Sequence, residues 1–339
     1  MAPPTSSRPW LSSLVSCLAI CASVSPALAT SSSKRGLVFT PNSTHGVDNY
    51  IWTRQPSDLT WYYNYGASPS PVYNNLSQTD FEFVPMLWGA PSDASDVTFL
   101  NTVKGLVKGG RNITHVMTFN EPDGPSEWGG SNVDPTMAAK VWLTNIVPLQ
   151  EMGIKVGLPA CTGGWGGIPW TNQFLGNCSK LISEATDGKT KNCTYDFIPL
   201  HWYGNFDGLA SHIGEYYSTY NATNPKIWVT EYNFDNQNLE ATQSFFNSST
   251  DYMDRLDYLE RYSIFAAFRS DNSNVGPNAT MLSSGGQLTD IGAWYLGRSA
   301  TGVKPTDTKS SGAGSISPHG WSFFPLTVAA AFAVTALLL

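Results

Sequence analysis

The chain has 339 residues and a net charge of −7, with 13% charged side chains and 13% aromatic ones. An acidic, aromatic-rich chain lacks the basic footprint that nucleic acid demands, so a nucleic-acid partner is excluded. Abundant Trp and Tyr with few charges suits surfaces that stack on sugar rings, a composition that ordinary large cores share.

In chain order, the first predicted element is a secretory signal peptide over residues 1–29. Arg8 supplies its positive start and Leu11 to Val24 is mostly apolar. Ala27-Leu28-Ala29 fits the small-x-small cleavage pattern, which puts the mature start near Thr30. A buried apolar helix is the rival reading.

Eight apolar or aromatic runs follow, each bounded by turn residues: 36–40, 61–66, 83–89, 115–120, 155–162, 197–204, 226–233 and 262–269. Several are near-continuous in apolar character, as parallel strands buried on both faces are. The last is equally helical by periodicity and is read as a strand from its place after a helix. The clearest helix spans 134–152, with Asp134 as N-cap, Pro135 at the first position and Gly153 as the stop. Val141, Trp142, Ile146 and Leu149 form its apolar face, and Pro148 predicts a kink. A second helix is expected over 251–261. The Asn/Ser-rich stretches 236–250 and 270–278 read as long connections. Strands alternating with helices over 30–302 predict one α/β domain, a (β/α)₈ barrel of typical size (~250 residues). A doubly wound open sheet is the alternative, but no glycine-rich dinucleotide fingerprint follows the first strand.

Residues 303–320 form a Ser/Gly/Pro-rich stalk, and 321–339 a hydrophobic tail with no Lys or Arg. Small residues at Ser310, Ser311, Gly312 and Ala313, a polar spacer and a terminal apolar run make a GPI-attachment signal whose tail is removed. The rival is a retained transmembrane helix, for which the run is short against a span of ~20 residues. The expected location is the secretory pathway, then the cell surface or wall, anchored to the outer leaflet of the plasma membrane. Cys17 and Cys21 leave with the signal peptide. In an oxidising compartment Cys178 and Cys193 pair, leaving Cys161 as a buried free thiol. Glycosylation acceptors occur at Asn42, Asn75, Asn112, Asn177, Asn192, Asn221, Asn247 and Asn278.

Barrel enzymes carry their chemistry at the C-terminal strand ends. Strand four ends in Asn120-Glu121-Pro122-Asp123 and strand seven in Thr230-Glu231-Tyr232. A carboxylate directly after an apolar strand is costly unless it is paired or used. Two of them facing each other across a barrel mouth suit glycosidic bond cleavage, one as proton donor and one as nucleophile. Loop anchoring by backbone capping is the plain alternative for either glutamate alone. Trp88, ending strand three, is the best placed sugar-stacking platform. Trp202, Trp128, Trp165 and Trp170 are weaker candidates, and Asn64 at the end of strand two is a further sugar contact. His45, His115, His201, His212 and His319 lack a metal-ligand spacing, so no metal and no cofactor are expected.

Together, Phe81-Glu82-Phe83-Val84-Pro85-Met86-Leu87-Trp88-Gly89, Phe119-Asn120-Glu121-Pro122-Asp123, His201-Trp202-Tyr203-Gly204 and Ile227-Trp228-Val229-Thr230-Glu231 resemble glycoside hydrolase family 128. This is a group of retaining endo-β-1,3-glucanases common in fungi. The resemblance spans the globular region, including Ile168-Pro169-Trp170 and the segment from Arg261 to Arg269. It implies Glu121 as acid/base, Glu231 as nucleophile and Asn120 as a donor to the sugar 2-hydroxyl. It implies that Tyr203 orients Glu231 and that His201 holds the local network, by a direct or a structural role. The expected partner is β-1,3-glucan and the expected assembly a monomer. Transglycosylation by the same residues and low-turnover glucan binding remain the alternatives.

Overall fold

A computed structural model describes residues 31–308. The expected signal peptide, the Ser310–Ala313 region and the expected GPI tail lie outside the described residues.

The strand runs fold as short parallel strands. They are β1 (Gly36–Val38), β2 (Trp61–Tyr63), β3 (Glu82–Phe83), β4 (Met86–Leu87), β5 (His115–Asn120), β6 (Lys155–Ala160), β7 (Phe197–Tyr203), β8 (Lys226–Asn233) and β9 (Leu259–Ile264). The run at 83–89 is therefore two pieces, because Pro85 has no N–H to donate to a ladder. That interruption divides the wall into a three-stranded sheet, β1-β2-β3, and a six-stranded sheet, β4 to β9 in sequence order. The result is barrel-like without a closed ladder. One seam is held by Met86 N donating to Gly66 O at 3.0 Å, the other by Tyr262 N donating to Lys34 O at 2.9 Å.

Around this wall lie α1 (Thr98–Lys108), α2 (Pro135–Asn145), α3 (Val147–Glu151), α4 (Gly167–Ala185), α5 (Phe206–Tyr220), α6 (Leu239–Arg255) and α7 (Asp290–Tyr295). The expected helix 134–152 is α2 followed by α3. Asp134 caps it by accepting from Thr136 N and Met137 N. Pro148 does more than kink it: the missing N–H and the ring end one helix at Ile146 and start another.

The expectations for 236–250 and 251–261 are corrected. Asn238 accepts from Ala241 N, and one helix runs from Leu239 to Arg255. Its polar composition misleads because Thr242, Ser249 and Thr250 sit on the buried face, each hydroxyl donating to a carbonyl of its own helix. The last strand begins at Leu259, earlier than the apolar run, because Arg261 turns inward to Glu82 at 2.8 Å.

The barrel interior is aromatic where Val, Ile and Leu are usual. Trp61, Tyr63, Phe197 and Trp228 fill it with Val38, Val84, Met86 and Met117. Phe197 stacks on Trp228 at 4.0 Å between centroids, and the Arg261 guanidinium lies 4.2 Å from the centre of Trp228. A second cluster, including Trp142, Phe174 and Ile213, glues the helices to the outside of the wall.

The domain also runs past residue 302. Pro305 is buried and accepts from Ser284 N, and Asp307 O accepts from Gly285 N. The start of the expected stalk is thus part of the globule. Cys178 and Cys193 are bonded and Cys161 is a buried thiol. Among the glycosylation acceptors, Asn42, Asn177 and Asn278 are half-buried and the rest exposed; Asn278 also donates to Gln237 O.

Candidate active site

β5 and β8 deliver the two carboxylates. Glu121 follows the fully buried β5 and takes a left-handed conformation, φ 42°, with its N–H on Ala160 O at 2.7 Å. A non-glycine residue there carries strain that the surrounding structure must hold in place. Asp123 helps by accepting from Thr162 N and Thr162 Oγ1 at 2.8 and 2.7 Å, which ties the loops after β5 and β6 together.

On the other side, the β7–β8 register slips. Leu200 pairs with Val229, but His201 pairs with Glu231, so Thr230 is an extra residue on β8. Such a bulge re-aims the side chains that follow it. The Thr230 carbonyl is instead caught by the hydroxyls of Tyr63 and Ser263.

The bulge places His201 between the carboxylates. Its Nδ1 lies 3.0 Å from Glu121 Oε1 and its Nε2 3.7 Å from Glu231 Oε1. One oxygen of each glutamate and one ring nitrogen lie within 4.8 Å of one another, close to the ~5–5.5 Å at which retaining glycosidases work. The imidazole is fully buried. Burial opposes its charge, but Glu231 and then Glu121 outweigh that cost and raise its pKa.

Glu231 is held by two phenols, with a third beside it. Tyr203 donates to Oε2 at 2.6 Å and Tyr65 to Oε1 at 2.7 Å, while Tyr63, whose hydroxyl donates to Thr230 O at 3.0 Å, lies 3.3 Å from Oε1. Burial and the nearby Glu231 charge push all three phenols well above their ordinary pKa, so they remain donors. The Glu121, His201 and Glu231 atoms are also close enough to surround a cation. A cation at Glu231 would have to compete with the phenols that already donate to its oxygens.

Glu121, Glu231, Tyr65 and Tyr203 line a cavity of about 460 Å³ with Thr40, Trp88, Asn120, Trp128, Asp235, Phe265 and Val275. A larger hollow of about 670 Å³ at the opposite ends of β5 and β6 contains no carboxylate pair.

Of the residues expected from sequence, Glu121, Glu231, Asn120, Trp88, His201 and Tyr203 come together here. The Asn120 side chain donates to Gly129 O at 3.0 Å, leaving Oδ1 without a protein partner. Asn64 is spent on its own turn, accepting from Gly66 N and donating to Ser68 O. Trp202 turns away from the cavity: its Nε1 donates to Asn205 O and its ring packs on Gly208 and His212. Trp170 is core, donating to Val133 O. Tyr63 and Tyr65 were missed, although Trp61, Tyr63 and Tyr65 alternate at the spacing that puts them on one face.

Comparison with known proteins agrees with this architecture. The glycosyl hydrolase catalytic core family matches residues 36–295. Alkali-sensitive linkage protein 1 of Schizosaccharomyces pombe is 30% identical over 275 residues, 78% of this chain; the chain spans only 44% of that relative's length. A curdlan-specific exo-β-1,3-glucanase of family 128 from Blastomyces gilchristii superposes with TM-score 0.59 at 25% identity, covering 79% of this chain and 99% of that one. A family 128 oligosaccharide-binding protein from Cryptococcus neoformans superposes with TM-score 0.55 at 23% identity, covering 80% and 97%. Matched over residues 36–295, the chain belongs to the glycosyl hydrolase catalytic core family and, by fold and motifs, to glycoside hydrolase family 128.

Proposed function

We propose that this protein cleaves β-1,3-glucan with retention of configuration, Glu231 attacking the anomeric carbon while Glu121 protonates the leaving oxygen. The observation that carries this reading is the carboxylate pair within 4.8 Å, bridged by a buried histidine. The phenols on Glu231 hold it aimed, and a short separation leaves no room for the water of an inverting mechanism. Water then attacks the glycosyl–Glu231 ester, and Glu121 takes the water's proton. The family 128 relative named curdlan-specific supports the choice of glucan. Internal cleavage is the reading we favour. The terminal sequence patterns support anchoring by a GPI lipid at the cell surface or wall.

The second reading is glucan binding with little turnover, favoured by the family 128 fold of an oligosaccharide-binding protein. Incubation with linear β-1,3-glucan oligosaccharides separates the two. The expected result is shorter products, absent in Glu231→Gln and restored by azide in Glu231→Ala. Binding without turnover would overturn the hydrolase reading.

A further inference from the structure

Two indoles stand almost wholly in water on the loops that follow β5 and β6. Trp128 is 82% exposed and Trp165 95% exposed. Water-exposed indoles on projecting tips mark binding surfaces more than cores, because the ring brings a large apolar face at little entropic cost. Both tips are flanked by glycine: Gly129 and Gly130 follow Trp128, and Trp165 sits within Gly163-Gly164-Trp165-Gly166-Gly167. Gly129 takes φ 93°, which other residues rarely adopt.

The two tips are fixed to either flank of the acid/base. The Trp128 tip is tied through Gly129 O to Asn120, and the Trp165 loop through Thr162 to Asp123. Trp128 itself lines the cavity that contains Glu121 and Glu231. Glu121 hands its proton to the oxygen of the departing sugar, so loops tied to its two flanks are placed beside the leaving portion of the chain. The same surface receives whatever attacks next.

We propose that Trp128 and Trp165 form an acceptor platform for β-1,3-glucan that favours transfer to sugar over hydrolysis, an inference that rests on the glycosidase reading above. In the transfer step an acceptor hydroxyl attacks the anomeric carbon of the glycosyl–Glu231 ester. The bond to Glu231 breaks, its carboxylate is regenerated, and the hydroxyl proton passes to Glu121.

The test compares the full-length wild type with Trp128→Ala, Trp165→Ala, the double variant and Trp165→Phe. One substrate is an aryl β-laminaribioside, whose small leaving group needs no platform, and the other is laminarihexaose. Wild type is expected to give products longer than the hexaose. Each alanine variant should lose those products by about tenfold, Trp165→Ala while keeping aryl-glycoside turnover within about twofold, and Trp165→Phe should recover most of the transfer. Equal losses on both substrates in Trp165→Ala, or unchanged transfer, would overturn the platform. A wild type silent on both substrates sinks the hydrolase reading instead. The platform is then decided by retention on insoluble β-1,3-glucan: loss in the double variant supports it, and full retention overturns it.

Discussion

His201 Nδ1 lies 3.0 Å from Glu121 Oε1 in a fully buried setting, and its opposite nitrogen faces Glu231. One imidazole thus feels both carboxylates, and any change in its charge is felt by both in turn.

That coupling predicts a pH-dependent stability. The folded state raises the His201 pKa above its ordinary 6.5. The contribution is therefore fully present below about pH 6.5 and is lost as pH rises through the raised value. Thermal melting of wild type against His201→Asn should show a gap that is widest on the acid side and narrows on the alkaline side. A gap independent of pH would contradict a charged His201.

Tyr65 and Tyr203 each donate to one oxygen of Glu231. A hydrogen bond to a charged group contributes ~1.5–3 kcal/mol, so Tyr65→Phe and Tyr203→Phe should each lower kcat about 10- to 100-fold. Tm should move little, since the phenylalanine ring fills the same space. Kinetics equal to wild type in Tyr65→Phe would remove Tyr65 from the site.

At the barrel's opposite end, Glu82 meets Arg261 at 2.8 Å and His115 at 3.2 Å. Burial opposes its ionisation, but His115 and Arg261 overcome that and bring its pKa down to about 2. The stabilisation is present above the ordinary value of 4.5 and disappears as pH falls towards 2. Glu82→Gln should cost about 3 kcal/mol at neutral pH by leaving Arg261 uncompensated. Acid titrations of the two proteins, followed by circular dichroism, should converge near pH ~2.

The Cys178–Cys193 bridge ties α4 to the segment before β7 across a sequence separation of 15. Closing a loop of that size contributes ~3 kcal/mol. Replacing both cysteines with serine should lower Tm by roughly 5–10 °C in differential scanning calorimetry without altering kcat. A loss of kcat at temperatures where the variant is folded would mean that the bridge also shapes the site.

The legible parts of the sequence were those where local chemistry and burial agree. β5 and β8 are largely apolar runs with a glutamate just past the end of one and near the end of the other, and their bounds are as expected. Asp134 and Pro135 announce a helix start because capping is local. Legibility failed where a tertiary partner decides the outcome. α6 hides its buried face under hydroxyls that bond within the helix, and the start of β9 carries Arg261, whose partner Glu82 stands on β3. Tyr65 was missed because its function depends on a carboxylate 166 positions away. Trp202 misled in the opposite direction: it neighbours two site residues in sequence, yet pleating sends it outward to α5.

The extra residue at Thr230 has a consequence for how this site could be lost. Position 231 faces His201 only because β8 spends one more residue than β7 between their paired ends. Deleting Thr230 would leave every catalytic side chain in the polypeptide, yet the parity of all that follows would invert. Substitution at 230 and deletion at 230 are therefore different injuries. The first perturbs a carbonyl's surroundings, while the second points the glutamate away from its partner. What this stretch of chain preserves is a length, and a lineage that kept the letters of Thr-Glu-Tyr but dropped one residue before them would keep the motif without the enzyme.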